Sequence, residues 1–323
     1  MGKDTTVKLT KFGSQYALQI FMVILIIVCT LTIDRFATAG NMLNILSQVT
    51  FNAIIATGMT YVILIGGIDL SVGAVAALSG MIVSGIALKF PEITAAQSVL
   101  VIVGVSLIGG VVIGGIVGFA VTKLAMPAFI ATLAMQRVCR GIAYIMNNGS
   151  PYYGLSSDFK FLGVGKFFNI PIVVIIMVVI LVIGDLFLKK TVMGRRIYSV
   201  GSNAEVSTLS GINVTRTKVF AHMVSSTLSA FAGALYASRL LTGQPNACEG
   251  YELIAIASVA IGGTSMSGGR GGVANTVMGI IAFGVINNSM NLLHISSYWQ
   301  TVVTGLIIAV AVMSDTYVSK KKA

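Results

Sequence analysis

The side chains in this sequence that could do chemistry are few and far apart. Asp69 stands out. It lies in Ile65-Gly-Gly-Ile-Asp-Leu-Ser-Val-Gly73, between two long apolar runs. A carboxylate at membrane depth is costly to hold and usually serves an ion, a proton or a substrate. The plainer alternative makes Asp69 a cap for the next helix, close to water, with Ser71 and Gly73 shaping the turn. A second glycine-rich break, Ile261-Gly-Gly-Thr-Ser-Met-Ser-Gly-Gly269, shares the frame I-G-G-x-x-x-S-x-G. Matching interruptions in two halves of a membrane chain point to an internal repeat and to broken helices near a pathway. Asp69, Ser71, Gly73, Thr264 and Ser265 are therefore the candidate pathway or gate residues.

Other reactive groups form no constellation. The two histidines, His222 and His294, are far apart and have no carboxylate or cysteine at metal-ligand spacing. His222 in an apolar run reads as a packed helix residue. No G-x-x-x-x-G-K-[ST] motif occurs, so this chain is not expected to bind ATP by a P-loop, and no catalytic site, metal or cofactor is expected in it. Cys29, Cys139 and Cys248 show no disulfide or metal pattern. Arg137 and Arg140, three apart, share one helix face that must meet protein, water or the headgroup rim. Asp185 stands one turn before Lys189, in the favourable orientation for an i,i+4 pair. Tyr152, Gln244, Glu249 and Glu252 fall in loops assigned to the outer side. They are a candidate contact for a delivery protein or, equally, ordinary solvated loop residues.

The elements that must position these groups are membrane helices. The sequence is 56% hydrophobic and 10% charged, with a mean hydropathy of +0.93, whereas a soluble domain carries about 25% charged residues. A spanning helix needs roughly 20 apolar residues. On that measure the chain reads as an all-α, polytopic membrane protein of about ten transmembrane helices, near 15–33, 43–65, 72–88, 98–122, 128–146, 170–188, 217–241, 251–263, 272–293 and 298–316. The eighth is short; the third and fifth are borderline. The first has no cleavage site and reads as a retained span. The expected organisation is a cytoplasmic tail over 1–14, one transmembrane domain over 15–316 and a cytoplasmic tail over 317–323. Gly110, Gly114 and Gly118, four apart, make a seam for close helix contact.

Charge sets the orientation. The polar segment 189–216, flanked by apolar runs, and its continuation to Lys218 contain Lys189, Lys190, Arg195, Arg196, Arg216 and Lys218 against one acid, Glu205. Placing it in the cytoplasm puts both termini inside. Inner segments then hold fourteen basic residues and outer segments four (Arg35, Lys89, Lys160 and Lys166), the bias expected of a cytoplasmic membrane protein. The net charge of +11 is explained by these loops, and no basic–aromatic pattern points to nucleic acid. Within the segment, Asn203, Ala204, Glu205, Val206, Ser207, Thr208, Leu209, Ser210 and Gly211 read as a short helix. Ser202 or Asn203 caps it, Glu205 sits in its first turn and Gly211 ends it. Such a helix is either a solvated connector or a knob that docks into a partner.

Several stretches in this order resemble the ribose-type sugar permeases of ATP-binding-cassette importers: Asn44-Ile-Leu-Ser-Gln48, Gly66 to Gly73, Phe129-Ile-Ala-Thr-Leu133, Gly149-Ser-Pro151, Gly194-Arg-Arg through Val214, Gly250-Tyr-Glu-Leu253, Gly262-Gly-Thr-Ser265 and Ser297-Tyr-Trp-Gln300. The resemblance runs from about residue 15 onward. It implies the type II importer permease fold, two permease copies as a homodimer in membrane lipid, ATPase subunits beneath, and a periplasmic or lipid-anchored sugar-binding protein outside. The cargo would be a monosaccharide such as ribose, galactose or xylose, moved by ATP-driven alternating access. Asn203 to Gly211 would be the coupling helix. Two departures stand out. Where the family usually has Glu-Ala-Ala this chain has Ala204-Glu205-Val206, which turns the acid about 100° around the helix. Ile254 stands where the family commonly has an aspartate.

Two other classes remain at this point. An ion-coupled secondary sugar transporter working without an ATPase would need membrane carboxylates; Asp69 and Asp185 are the nearest to fitting. A passive channel would need a ring of filter residues, about which one chain's sequence says nothing.

Overall fold

The computed structural model describes residue 20 and residues 22–322, with side chains described as far as 310 and at 313. The expected tail over 1–14 lies outside the described residues. Helices follow one another almost without interruption: α1 (Met22–Thr32), α2 (Ala39–Leu64), α3 (Val72–Lys89), α4 (Ala95–Lys123), α5 (Ala128–Ile145), a single-turn α6 (Phe161–Val164), α7 (Ile172–Lys190), α8 (Val192–Ser202), α9 (Ala204–Leu209), α10 (Val214–Leu240), α11 (Tyr251–Ile261), α12 (Val273–Leu292) and α13 (Ser297–Lys322). The α13 backbone continues through the segment expected to be a C-terminal tail.

Every expected span has a helix at its place, yet among the described residues only α2, α3, α4, α7, α10 and α12 are long and apolar enough to cross a membrane. The apolar part of α13 (Ser297–Val310), α1 and α11 are shorter, and α5 is diluted by Gln136, Arg137 and Arg140. The chain is a multi-pass, helical membrane protein, and six helices among the described residues meet the requirement. A small departure from all-helical architecture is a hairpin, β1 (Lys166–Phe167) against β2 (Ile170–Pro171). Its two turn residues, Phe168 and Asn169, both have positive φ, as the tight hairpin turn requires.

Burial separates inner from lipid-facing helices. α2 and α3 are mostly enclosed, whereas the apolar windows of α4 and α7 are only 22% and 28% buried and present Val, Ile and Leu outward. α10 runs against α2, α3 and α4, and it can approach α4 closely because of the glycine seam. A β-carbon at Gly110, Gly114 or Gly118 would strike the α10 backbone at Thr227, at His222 and Met223, or at Val219. Helix association in lipid depends on such close approach, since burial of apolar surface gains nothing there.

The two glycine-rich breaks end their helices in the same way. At α2, Gly67 N donates to Val62 O and Gly66 N to Ile63 O; at α11, Thr264 N donates to Val259 O and Gly263 N to Ala260 O. Both are Schellman turns with a left-handed glycine, Gly66 (φ 76°) and Gly263 (φ 83°). The sequence frame pairs Ile65 with Ile261, so the backbone equivalence lies one residue later in the second break. The breaks also touch: Gly269 N donates to Leu64 O over 2.9 Å.

Candidate coupling surface and cavity

The polar segment after α7 is helical over nearly its whole length. Thr191 starts α8, its Oγ1 accepting from Gly194 N at 3.0 Å. One face of α8 buries Ile197 and Val200 while Arg195 and Arg196 remain exposed, so this amphipathic stretch is helix where its charge suggests loop. α9 then covers Ala204–Leu209. Asn203 Oδ1 accepts from Val206 N at 3.0 Å, Glu205 occupies the first turn, and Gly211 (φ 78°) closes the helix as Ile212 N reaches Ser207 O. Ser207 is buried and shares a 2.8 Å hydrogen bond with Ser199 of α8. Val206 and Leu209 point away from the protein, Leu209 being 89% exposed. α9 is thus a six-residue helix with one buried serine and two outward apolar side chains.

What lies behind α8 is unusually tight. Gly201 sits against the Leu64 carbonyl and the Gly269 amide, and Gly268 against Gly201, Leu64 and Gly66, so that a β-carbon at either would overlap backbone. Tyr198 Oη donates to Gly271 O at 2.9 Å. Burial, with the Asp185 carboxylate adding to it, raises the Tyr198 phenol above its ordinary range. Asp185 pairs with Lys189 at 2.7 Å, as its spacing predicts, and also accepts from Ala274 N at the start of α12. α8 is thereby clasped to the end of α2 and to the loop before α12, while α7 reaches the first turn of α12.

Asp69 is not near water. It is fully buried, and its Oδ1 accepts from Ser71 N at 3.0 Å and Ser71 Oγ at 2.6 Å. Oδ2 accepts from Ser225 Oγ of α10 at 3.0 Å. His222, one turn earlier on α10, brings Nδ1 to 3.8 Å from the same oxygen, beyond hydrogen-bond reach. Asp69 thus joins the turn before α3 to α10. Thr264 Oγ1 accepts from Gly272 N at 3.2 Å, and Ser265 N donates to Arg270 O; both organise the loop before α12.

None of these five residues lines the cavity formed by α2 and α10 to α13. That cavity, about 690 Å³, lies between α2, α10, α11, α12 and α13, in the half of the protein away from α9. Its wall mixes aromatic rings (Phe51, Tyr236, Tyr251, Phe283) with amides (Gln48, Asn52, Asn287, Asn291) and the charged pair Arg239 and Glu249. Ile254 lines it as well.

The four loop residues expected at an outer landing surface do not form one patch. Glu249 is exposed and lines the cavity. Glu252 turns the other way: it is 8% exposed, bonded to Gln136 of α5 and packed beside Gly73. The reason is helical spacing, since Tyr251, Ile254 and Ser258 face the cavity and a residue one position on points about 100° away. Tyr152 is zipped to Gly243 by two backbone bonds, and its hydroxyl donates to Met146 O. Gln244 is half-buried beside Thr242. Arg140 faces protein, donating to the carbonyls of Pro245 and Ala247.

The family described as branched-chain amino acid transport system / permease component matches residues 41–312. The chain is 43% identical over 308 residues to a ribose import permease of Haemophilus influenzae, covering 94% of this chain and 93% of the relative. It is 45% identical over 302 residues to the ribose import permease of Bacillus subtilis, covering 90% and 89%. The chain belongs to this permease family. An L-arabinose transport system permease of Escherichia coli is 36% identical over 312 residues, covering 97% and 93%. No solved structure matches the chain. As a ribose-type member, it is the membrane-spanning subunit of an ATP-binding-cassette importer, a transport subunit rather than a catalytic one. Family membership implies association with an ATPase and a substrate-binding protein, and it does not favour the ion-coupled alternative.

Proposed function

We propose that this permease moves a monosaccharide, ribose or a close relative, inward across the cytoplasmic membrane as one of two identical copies. The names of its relatives support the sugar, and the cavity supports the route. One observation carries the mechanism: α8 packs on the inner end of α2 at Leu64 and bonds Gly271 just before α12, and the outer halves of α2 and α12 line the cavity. From Asn52 in the cavity wall to Leu64 at the clasp is about 18 Å along α2 at 1.5 Å per residue. A displacement of α9 by an ATPase beneath would therefore reach the cavity through rigid helices. In this reading Val206 and Leu209 dock on the ATPase, ATP stays on that partner chain, and sugar enters past Glu249 from a binding protein.

The membrane arrangement proposed is ten crossings within 15–316, with α1, α5, α11 and α13 completing the six long spans and both termini cytoplasmic. A tenth crossing needs α11 to be extended by the flanking turns or set within a thinner part of the protein.

The experiment is ATP hydrolysis coupled to uptake in proteoliposomes. The chain is reconstituted with its ATPase, and sugar-loaded binding proteins are added one at a time. Stimulated hydrolysis with sugar uptake, both lost when a proline is placed at Ser207, is the expected result. Uptake that follows an imposed ion gradient with no ATPase present would refute it.

A further inference from the structure

The cavity contains two polar groups whose bonding is incomplete. Arg239, near the outer end of α10, donates one Nη1–H to Ser47 O at 2.7 Å and lies 5.6 Å above the Phe51 ring. No carboxylate among the described residues comes within ion-pair distance of it. Asn52, one residue beyond Phe51 on α2, has a buried Oδ1 that accepts no hydrogen bond. A guanidinium without a counter-ion and an amide oxygen without a donor are both costly inside a membrane protein. They persist where a ligand or water completes them. Beside them Phe51, Tyr236 and Tyr251 pack edge to face, with centroids 5.1 and 6.4 Å apart.

We propose that Arg239 and Asn52 form a hydroxyl-reading subsite, so that the permease itself selects its cargo in addition to the protein that delivers it. This rests on the reading of the chain as a monosaccharide permease. Arg239 offers N–H donors to a hydroxyl oxygen; the Asn52 amide, once turned so that its buried carbonyl oxygen meets the cavity, takes a hydroxyl proton; the aromatic rings meet a C–H face. The ligand class is the neutral, polyhydroxylated one of that reading, and a cavity holding both Glu249 and Arg239 offers no single sign of charge to an ion. A volume of about 690 Å³ is within the usual range of small-molecule sites and leaves room for water, which suits a ligand held briefly and released. A site built to bond a hydroxyl discriminates sharply against a ligand lacking it, whereas a plain hole does not.

The test uses the whole complex in proteoliposomes with saturating loaded binding protein. It compares the parent sugar with the deoxy analogues that the binding protein also delivers. ATP-dependent import of the parent by the wild type is established first; its absence would overturn the permease reading rather than the subsite. With import established, at least one analogue is expected to cross about tenfold more slowly than the parent. In Asn52→Ala or Arg239→Lys that gap should shrink to within about twofold, because the group that read the hydroxyl is gone. The readout is a ratio of two sugars on one preparation, so partial loss of folded protein cancels. Asn52→Ser replaces the alanine if that variant does not assemble. Equal import of every analogue by the wild type, or a gap unchanged in the variants, overturns the proposal.

Discussion

Gly201 of α8 lies against the Leu64 carbonyl at the end of α2 with no room for a methyl group between them. The contact joins α8 to a helix that lines the cavity. Gly201→Ala must push α8 off α2, at a cost of about 1–3 kcal/mol for overpacking. The expected outcome is a complex that still assembles but whose ATP hydrolysis no longer responds to loaded binding protein. Gly104→Ala, where nothing lies within 4 Å, is the silent control. A normal response in Gly201→Ala would show that the clasp does not transmit motion.

Val206 and Leu209 give a second prediction. Neither contributes to this chain's own core, so replacing them should leave its stability within about 0.5 kcal/mol. Leu209→Asp should nonetheless reduce co-purification of the ATPase about tenfold or more, since a charge would enter an apolar contact. Retention of the ATPase at wild-type levels would place the docking surface elsewhere.

A third concerns how α9 is held. Ser199 and Ser207 share a side-chain hydrogen bond, close enough for a disulfide between cysteines at both positions. If α8 and α9 move as one body, oxidising the Ser199→Cys, Ser207→Cys double variant leaves transport as it is in the reduced form. Loss on oxidation, restored by reductant, would mean that the two helices flex against each other. The native cysteines are buried and need not interfere.

How much of this was legible in the sequence depended on the range of the signal. Apolar length placed the helices, and local rules placed the α9 cap at Ser202 or Asn203, its Gly211 stop, the Asp185–Lys189 pair and the α4 seam. Relations between distant segments were not legible. Asp69 and Ser225 meet across 156 positions, and no spacing rule connects them. The cavity draws on five helices, so its wall could not be listed from any one. Its sequence signals were Glu249, singled out only as a loop residue, and Ile254, a departure from the family's usual aspartate. The facing of α11 also needed the structure, because an eleven-residue helix that is apolar on nearly every side does not say whether Tyr251 or Glu252 points inward. Arg195 and Arg196 made α8 look like loop, although Ile197 and Val200 anchor it.

Orientation supplies the fourth prediction. Cysteine at the exposed Leu209 should react with a membrane-impermeant reagent only from the cytoplasmic side. Cysteine at Phe168, 86% exposed at the hairpin before α7, should react only from outside, since α7 separates the two. Labelling of both from one side would remove α7 as a crossing; exchange of the two sides would invert the topology.

Asp69 supports the last. Three donors converge on its carboxylate, Ser71 N, Ser71 Oγ and Ser225 Oγ, all in a site closed to solvent. Asp69→Ala would strand them, and each unsatisfied buried group costs about 1–3 kcal/mol. Thermal unfolding in detergent should therefore show a large loss of stability. Asp69→Asn keeps one oxygen for Ser71, and the Ser225 hydroxyl can rotate to accept from the new amide, so most of that stability should return. Transport separates the two roles open to this residue. If Asp69 only pins the start of α3 to α10, Asp69→Asn transports in proportion to its folded fraction. If the charge itself serves the cycle, with His222 at 3.8 Å as its neighbour, the asparagine variant folds and assembles but transports nothing. The buried position and complete set of donors favour the pin, and a folded, inactive Asp69→Asn complex would decide against it.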